Sequence, residues 1–327
     1  MARRFTQQQQ RRFARIQAER QHRLERRQAA QPTDATGALQ HGTVVANHGA
    51  ELEVESVHGA RVRCTPRSTL LETPVCGDQV GWRAADADQG VIETILPRRT
   101  LLQRIDDHGR ARAMAANIDR ILIVAALQPE PDRLLIDRLL VAAELTAIEP
   151  MLILNKIDLA DAEARHAMDA LVALYHQLGY TVLESSTIAG HGLDAIHQAL
   201  SGLNVIFTGQ SGVGKSSLLN ALLPDEQART GALHSSGHGT HTTSTARLYP
   251  MAQGGAIIDS PGIRDFGLDS RDPAHIAQGF PEFAPFLGQC RFRNCRHLDD
   301  SGCAIRDALE QGIIDPRRFE SWRRMTA

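Results

Sequence analysis

The run Gly209-Gln210-Ser211-Gly212-Val213-Gly214-Lys215-Ser216 has the spacing G-x-x-x-x-G-K-[ST], and Ser217 continues it. That pattern carries phosphate chemistry. Glycines let successive N–H groups turn toward phosphate oxygens, and the helix that follows adds its positive N-terminus. Lys215 is expected on the β and γ phosphates and the Ser216 hydroxyl on Mg²⁺. A second cluster, Asn155-Lys156-Ile157-Asp158, has the groups that a guanine base requires. The Asp158 carboxylate can accept from the ring N1–H and the exocyclic amine together, Asn155 can offer an amide to the opposite edge, and the Lys156 stem can pack on the base face. Adenine lacks that donor pair and would leave a carboxylate unpaired. In Glu184-Ser185-Ser186, a backbone N–H near Ser186 can meet the guanine oxygen.

Three further groups bear on the same chemistry. Asp259-Ser260-Pro261-Gly262 is a D-x-x-G, with Asp259 expected to hold Mg²⁺ through water and the Gly262 N–H to contact the γ-phosphate. Residues 237–244 form a Gly/His/Thr-rich loop containing His241, Thr242 and Thr243. Finally, Cys290, Cys295, His297 and Cys303 offer three thiols and an imidazole within 14 residues, a spacing suited to one tetrahedral zinc ion. Four protein ligands leave no position for water, so such a site is architectural. A disulfide plus a free thiol is the competing reading, and it fits poorly with a cytoplasmic chain. Cys64 and Cys76 read as ordinary small apolar residues of a barrel.

These residues need elements to hold them. The phosphate loop lies between a strand over 204–208 and a helix over 217–223 that stops before Pro224. Upstream, a buried strand over 118–126, an amphipathic helix over 133–145 and a strand over 151–154 lead into Asn155. A helix over 162–178, a strand over 181–183 and a helix over 193–200 then return the chain to the loop. This alternation predicts a doubly wound, largely parallel sheet. Between residues 37 and 98, five short alternating runs (43–46, 51–55, 61–64, 79–83 and 90–95) predict a small closed β-barrel of the OB-fold kind. A basic connector with Arg98, Arg99, Arg104, Arg110 and Arg112 follows.

The chain has 327 residues, 42% of them hydrophobic, and a formal charge of −2, which allows two or three buried cores. No apolar run has membrane-spanning length, so a cytoplasmic protein without a membrane partner is expected. The charge sum hides an asymmetry: the first 27 residues carry nine arginines against Glu19 and Glu25, so RNA is the natural partner of this end.

Asn155-Lys156-Ile157-Asp158 precedes the phosphate loop, whereas an ordinary GTPase places its guanine motif after the D-x-x-G. The sequence thus resembles a circularly permuted GTPase. Through Ala116-Asn117-Ile118-Asp119, residues 209–217, His241-Thr242-Thr243, Asp259-Ser260-Pro261-Gly262 and the cysteine cluster, it closely resembles the ribosome small subunit-dependent GTPase A (RsgA) family. The resemblance implies a multidomain fold. It gives an N-terminal OB-fold barrel over 36–98, a permuted α/β P-loop GTPase domain over 99–270 and a C-terminal helical zinc-binding domain over 271–327, and it leaves unexplained the basic extension over 1–35, which is expected to be disordered. It implies a GTP hydrolase that binds GTP or GDP with Mg²⁺ and one structural Zn²⁺. Its partner would be the small ribosomal subunit and its rRNA, whose late maturation it would serve. Nothing in the sequence suggests an obligate dimer, so a monomer is expected.

For catalysis, Lys215 is joined by His241 and by one of Thr242 and Thr243, which should coordinate Mg²⁺ and contact the γ-phosphate; the resemblance favours Thr243. The magnesium set is then Ser216, Thr243 and Asp259. His241 enters because Ile263 stands where Ras-like enzymes carry a water-orienting glutamine. The rival reading, from another class, is an RNA-binding regulatory protein that uses guanine nucleotide only as a conformational ligand.

Overall fold

In the computed structural model, residues 37–86, 88–105, 110–223, 246–259, 268, 272–298 and 300–327 are described. The expected basic extension, the loop with His241, Thr242 and Thr243, and Gly262 all lie outside them. The described residues of Met1–Asp119, Gly202–Val205 and Ser236–Ile263 form one unit, and those of Arg120–Ser201, Ile206–Ser235 and Arg264–Ala327 a second.

Alternation of apolar and polar residues builds the barrel of the first unit. Its strands are β1 (Gln40–Asn47), β2 (Leu52–Ser56), β3 (Arg61–Pro66), β4 (Gln79–Asp86) and β5 (Gln89–Ile95), in the order β1-β2-β3-β5-β4, and a β1–β4 pairing closes the ring. The β3–β5 pair is parallel and the others are antiparallel. Val44, Leu52, Val54, Val80, Trp82 and Ile92 fill the inside. Each contributes on the order of 1.5–3 kcal/mol of burial. Bulges at Val44/Ala46 and Gly81/Trp82 supply the curvature that so small a ring needs.

The basic connector is more ordered than its composition suggests. It contains an antiparallel hairpin, β6 (Leu101–Ile105) and β7 (Ala111–Ala116), which sets Arg104 opposite Arg112.

The chain then enters the second unit. Here β8 (Arg120–Ala126), α1 (Arg133–Thr146), β9 (Glu149–Asn155), α2 (Ala162–Gln177), β10 (Thr181–Glu184), α3 (Leu193–Leu200), β11 (Asn204–Gly209) and α4 (Lys215–Leu222) alternate as expected. The strand order is β10-β9-β8-β11, with the β10–β9 and β9–β8 pairs parallel. In β8 and β9 every residue but the first is buried, the signature of strands covered on both faces.

β11 begins in the first unit, which also holds β12 (Ala246–Pro250) and β13 (Ala256–Asp259). β12 is antiparallel both to β13 and to β1 of the barrel.

The remaining helices, α5 (Pro273–Ala277), α6 (Ala304–Glu310) and α7 (Pro316–Thr326), share one apolar core with α1. Phe280 stacks on Phe283 with ring centroids 4.8 Å apart, Trp322 meets Phe283 edge-on at 6.1 Å, and Val141 of α1 joins them. A buried ionic group fastens the same surfaces. Arg318 of α7 is fully buried, donating to Asp137 of α1 and, at 2.7 Å, to Glu282. Tyr175 of α2 donates to the same Asp137 oxygen at 2.8 Å, and the guanidinium lies 4.5 Å from the Phe280 ring centroid. No helix among the described residues is long and apolar enough to cross a membrane.

Candidate functional site

Backbone geometry explains the glycine spacing of the phosphate loop. Gly209 has φ +135°, and a Cβ there would stand 2.1 Å from the Val124 carbonyl oxygen. Gly214 has φ +93°, and its Cβ would stand 2.3 Å from Asn155 Nδ2. Any larger residue would push the loop off β8 or off the guanine motif. The two positions therefore fix how β8, β9 and the loop approach one another.

α4 starts at this loop, and its N-cap is Gly214 with no side-chain hydrogen bond. By contrast, Asp132, Asp161, Asp272 and Asp315 cap α1, α2, α5 and α7 with their side chains. No capping side chain takes the N-terminal amides of α4, the arrangement that suits a phosphate. Lys215 Nζ lies 2.8 Å from the Gly209 carbonyl and 2.5 Å from that of Gln210, which holds the ammonium over the loop. Ser211, Gly212, Ser216 and Ser217 are exposed, and Val213 is buried beneath them.

The guanine-side residues are tied to this loop rather than merely near it. Asn155, the last residue of β9 and 1% exposed, donates from Nδ2 to the Val213 carbonyl at 3.0 Å. Its Oδ1 accepts from the Ser185 hydroxyl at 3.2 Å. Lys156 adopts φ +61° and sends its ammonium to the carbonyls of Gly212 (2.6 Å) and Gln128 (2.7 Å). Asp158 sits on a short 3-10 turn, Ile157–Leu159, with its side chain exposed. Asn155 thus spends one amide hydrogen on the loop.

Ser186 departs from expectation in one respect. Its N–H donates to the His191 carbonyl at 3.0 Å, so a base oxygen would have to compete for it. Asp259 ends β13 in the first unit. The contributions of Gln128, Gly212 and Val213 to the guanine side come from main-chain carbonyls, which no residue type announces.

The Cys–His cluster passes a geometric test. His297 Nδ1 lies 3.4 Å from Cys290 Sγ and 3.5 Å from the sulfurs of Cys295 and Cys303, and all four ligand atoms fall within 4.8 Å of one another. A tetrahedral zinc ion with ordinary bond lengths separates nitrogen from sulfur by about 3.5–3.6 Å. His297 reaches this position through φ +62°, and Cys303 through its place as N-cap of α6. Burial lowers the His297 pKa, which favours the neutral imidazole a metal requires. Burial also holds the Cys295 thiol up at about 12, a preference that zinc inverts by taking thiolate.

The family model described as RsgA GTPase matches residues 95–269. Proteins named small ribosomal subunit biogenesis GTPase RsgA match along almost the whole chain. The one from Pseudomonas aeruginosa is 47% identical over 99% of this chain and 97% of its own length, and that from Sodalis glossinidius 46% identical over 95% and 93%. The chain belongs to the RsgA GTPase family. Among solved structures, YjeQ from Thermotoga maritima matches with a TM-score of 0.73 at 30% identity, covering 88% of this chain and 98% of that one. YloQ, a circularly permuted GTPase, shares the fold with a TM-score of 0.69 at 23% identity, covering 91% and 96%. In this chain the barrel, the guanine motif placed before the phosphate loop and a Cys–His cluster that could hold zinc occur together. A member of a GTPase family is a GTP hydrolase that binds guanine nucleotide, and the purely regulatory reading is not favoured.

Proposed function

We propose that this GTP hydrolase serves late maturation of the small ribosomal subunit, binding the particle and its rRNA, and leaving once the particle has stimulated hydrolysis. The observation that carries the nucleotide assignment is the Asn155 side chain, which bonds the Val213 carbonyl of the phosphate loop and the Ser185 hydroxyl at once. One residue therefore sets the base-reading and phosphate-binding segments to a common frame. Asp158 would read the guanine edge, the amides of residues 209–217 and Lys215 would hold the phosphates, and Ser216, Thr243 and Asp259 would hold Mg²⁺. That ion would neutralise charge on the phosphates during transfer.

In the same reading residues 36–98 and 271–327 are separate RNA-facing domains around a GTPase domain over 99–270, with 1–35 a basic arm. The chain would work as a cytoplasmic monomer off the membrane, with one structural zinc on Cys290, Cys295, His297 and Cys303.

Isoleucine at position 263 cannot orient water, so turnover by the chain alone should be slow, and His241 would supply the missing polar group when the particle is bound. The test is GTP hydrolysis with and without purified small subunits, for the wild type and His241→Ala. Stimulation in the wild type, lost in the variant while GTP and subunit binding persist, is the expected result. Equal turnover with and without subunits would reject the ribosomal assignment, and full stimulation of the variant would remove His241 from the mechanism.

A further inference from the structure

The run Ala116-Asn117-Ile118-Asp119 has no place among the nucleotide contacts proposed above, yet within the first unit it is a point of convergence. Asn117 is 6% exposed and adopts φ +56°, a conformation that asparagine tolerates better than most residues. Its Nδ2 donates to the Gly77 carbonyl at 2.8 Å, its Oδ1 accepts from the Arg99 N–H at 2.9 Å, and its own carbonyl accepts from Asn204 Nδ2 at 3.2 Å. Asp119 doubles the last link: its carboxylate accepts from the Asn204 N–H, and its N–H donates to the Asn204 carbonyl, both at 2.8 Å.

Each partner leads somewhere. Gly77 donates to the Val44 carbonyl of β1 at 2.9 Å, and Val44 donates to Asp78 at 2.9 Å, so the 75–78 turn is stitched to the barrel wall. Asn204 is the first residue of β11, and Gly209, the first glycine of the phosphate loop, is its last. The buried Asn117 is therefore one link between a barrel turn and the strand that delivers the loop, flanked by the Ala116 N–H bond to the Cys76 carbonyl and the Asp119 bonds to Asn204.

A second link runs beside it. The Cys76 thiol donates to the Ala246 carbonyl at 3.1 Å, where β12 begins and pairs with β1. Burial holds that thiol up at about 12, so it stays a protonated donor. Cys76 is accordingly not a barrel-strand residue: it lies in the 75–78 turn and points at the start of β12.

We propose that Asn117 is a positioning residue that couples the barrel to the phosphate loop, so that nucleotide in the loop stabilises the 75–78 turn and a partner held by the barrel acts back on the loop. The reciprocity is obligatory for any such coupling. This inference rests on the nucleotide site proposed above. The Asn117 side-chain amide bonds both the turn and the Arg99 backbone while its main-chain carbonyl takes Asn204, and it works beside the Ala116 N–H bond to the Cys76 carbonyl and the Asp119 bonds to Asn204.

The test is amide hydrogen exchange on the full-length protein with and without saturating GDP, for the wild type, Asn117→Gly and Asn204→Ala. Glycine keeps the left-handed turn and removes both side-chain bonds, whereas Asn204→Ala leaves the turn whole and removes the Nδ2 bond to the Asn117 carbonyl, the two Asp119 bonds to the Asn204 backbone staying in place. In the wild type, GDP should slow exchange at Gly77, Asp78 and residues 204–207 by about fivefold or more, the lower end of ordinary coupling. In both variants GDP should still protect residues 209–217, while the response at Gly77 and Asp78 falls to less than half of the wild-type one. If Asn117→Gly does not fold, Asn204→Ala decides alone. A wild type whose loop is protected while the 75–78 turn stays unchanged, or variants that keep the full response, would overturn the proposal. A wild type that binds no GDP defeats the nucleotide-site reading first, and the coupling with it.

Discussion

The four donor atoms of the Cys–His cluster come from 14 consecutive residues, 290–303, whereas the guanine-side anchors reach 58 positions from Asn155 to Val213 and 56 from Lys156 to Gly212. The difference lies in what does the holding. Across the cluster, three thiols and a histidine stand together on turns, and a bound ion would be the bond between them. At the proposed nucleotide site the fold itself places the atoms: β8, β9 and β11 run side by side, and buried hydrogen bonds set the loop against the strand ends. The first region should fail by losing its metal, and the second only by losing particular bonds.

Zinc removal is therefore the largest expected effect. Metal analysis should find about one zinc per chain, and Cys295→Ala or a strong chelator should loosen the helices α5–α7 and lower the unfolding temperature. GDP affinity should change by no more than a few-fold, since Asn155 and Lys156 are held by Val213, Ser185, Gln128 and Gly212. A zinc-free yet fully folded protein would contradict the assignment, and GDP affinity falling in step with zinc would erase the distinction between the two regions.

Next comes the link from the cluster's helices to α1. Arg318→Ala would leave Asp137 buried beside Glu282 without their shared cation, which should destabilise by about 3–5 kcal/mol. Arg318→Met keeps the volume and the packing on Phe280, so any gap between the two variants measures packing apart from charge. If chemical denaturation shows Arg318→Ala within 1 kcal/mol of the wild type, about the reach of an exposed pair, the network is ornamental.

At the nucleotide site, Lys215→Ala should lower GTP turnover by about 100- to 1000-fold, the range for removing one preorganised donor from developing charge. Unaltered turnover would contradict the phosphate-loop reading. Asp158→Asn is gentler. It should weaken GTP by about tenfold or more and shift preference toward xanthine nucleotide, because the new amide can donate to the oxygen that replaces guanine's amine. Unchanged preference in a competition assay would remove Asp158 from base recognition.

How much of this was visible in the residues follows the same division. Spacings set by local backbone, such as residues 209–216 and the Cys–His run, were legible because glycine, lysine and cysteine types are dictated by geometry within one turn or loop. The barrel strands were legible from alternation, and β8 and β9 from unbroken apolar runs. β12 was not: Ala246-Arg247-Leu248-Tyr249-Pro250 leaves only Tyr249 buried and ends in proline, so its pairing with β1 comes from tertiary contact. The β6–β7 hairpin was hidden by its arginines. The Arg318–Asp137 pair joins residues 181 positions apart, and nothing in either neighbourhood signals a buried ion. Asn155 was read as a base contact from its motif, whereas its bonds to Val213 and Ser185 depend on which strands become neighbours.

The smallest expected effect separates two helix starts, α4 and α7. α4 begins at Gly214 without a side-chain cap, whereas Asp315 caps α7 by accepting from the Arg317 N–H at 2.8 Å, with Pro316 at the first helical position. The same carboxylate pairs with the Arg317 guanidinium at 2.8 and 3.0 Å, and that hydrogen bonding holds it below its ordinary 3.8. A carboxyl depressed in the folded protein stabilises above its unfolded value, and the contribution fades as pH falls through the folded one. Asp315→Ala should therefore destabilise by about 1 kcal/mol at pH 7, with the gap closing below pH 3.8. Asp315→Asn should lose less, because the amide oxygen still caps, and its gap to Asp315→Ala should hardly vary with pH. Denaturation midpoints at pH 7 and toward pH 3 measure both trends. A gap between wild type and Asp315→Ala that persists unchanged at the acid end would show that packing, rather than the charged cap, sets the start of α7.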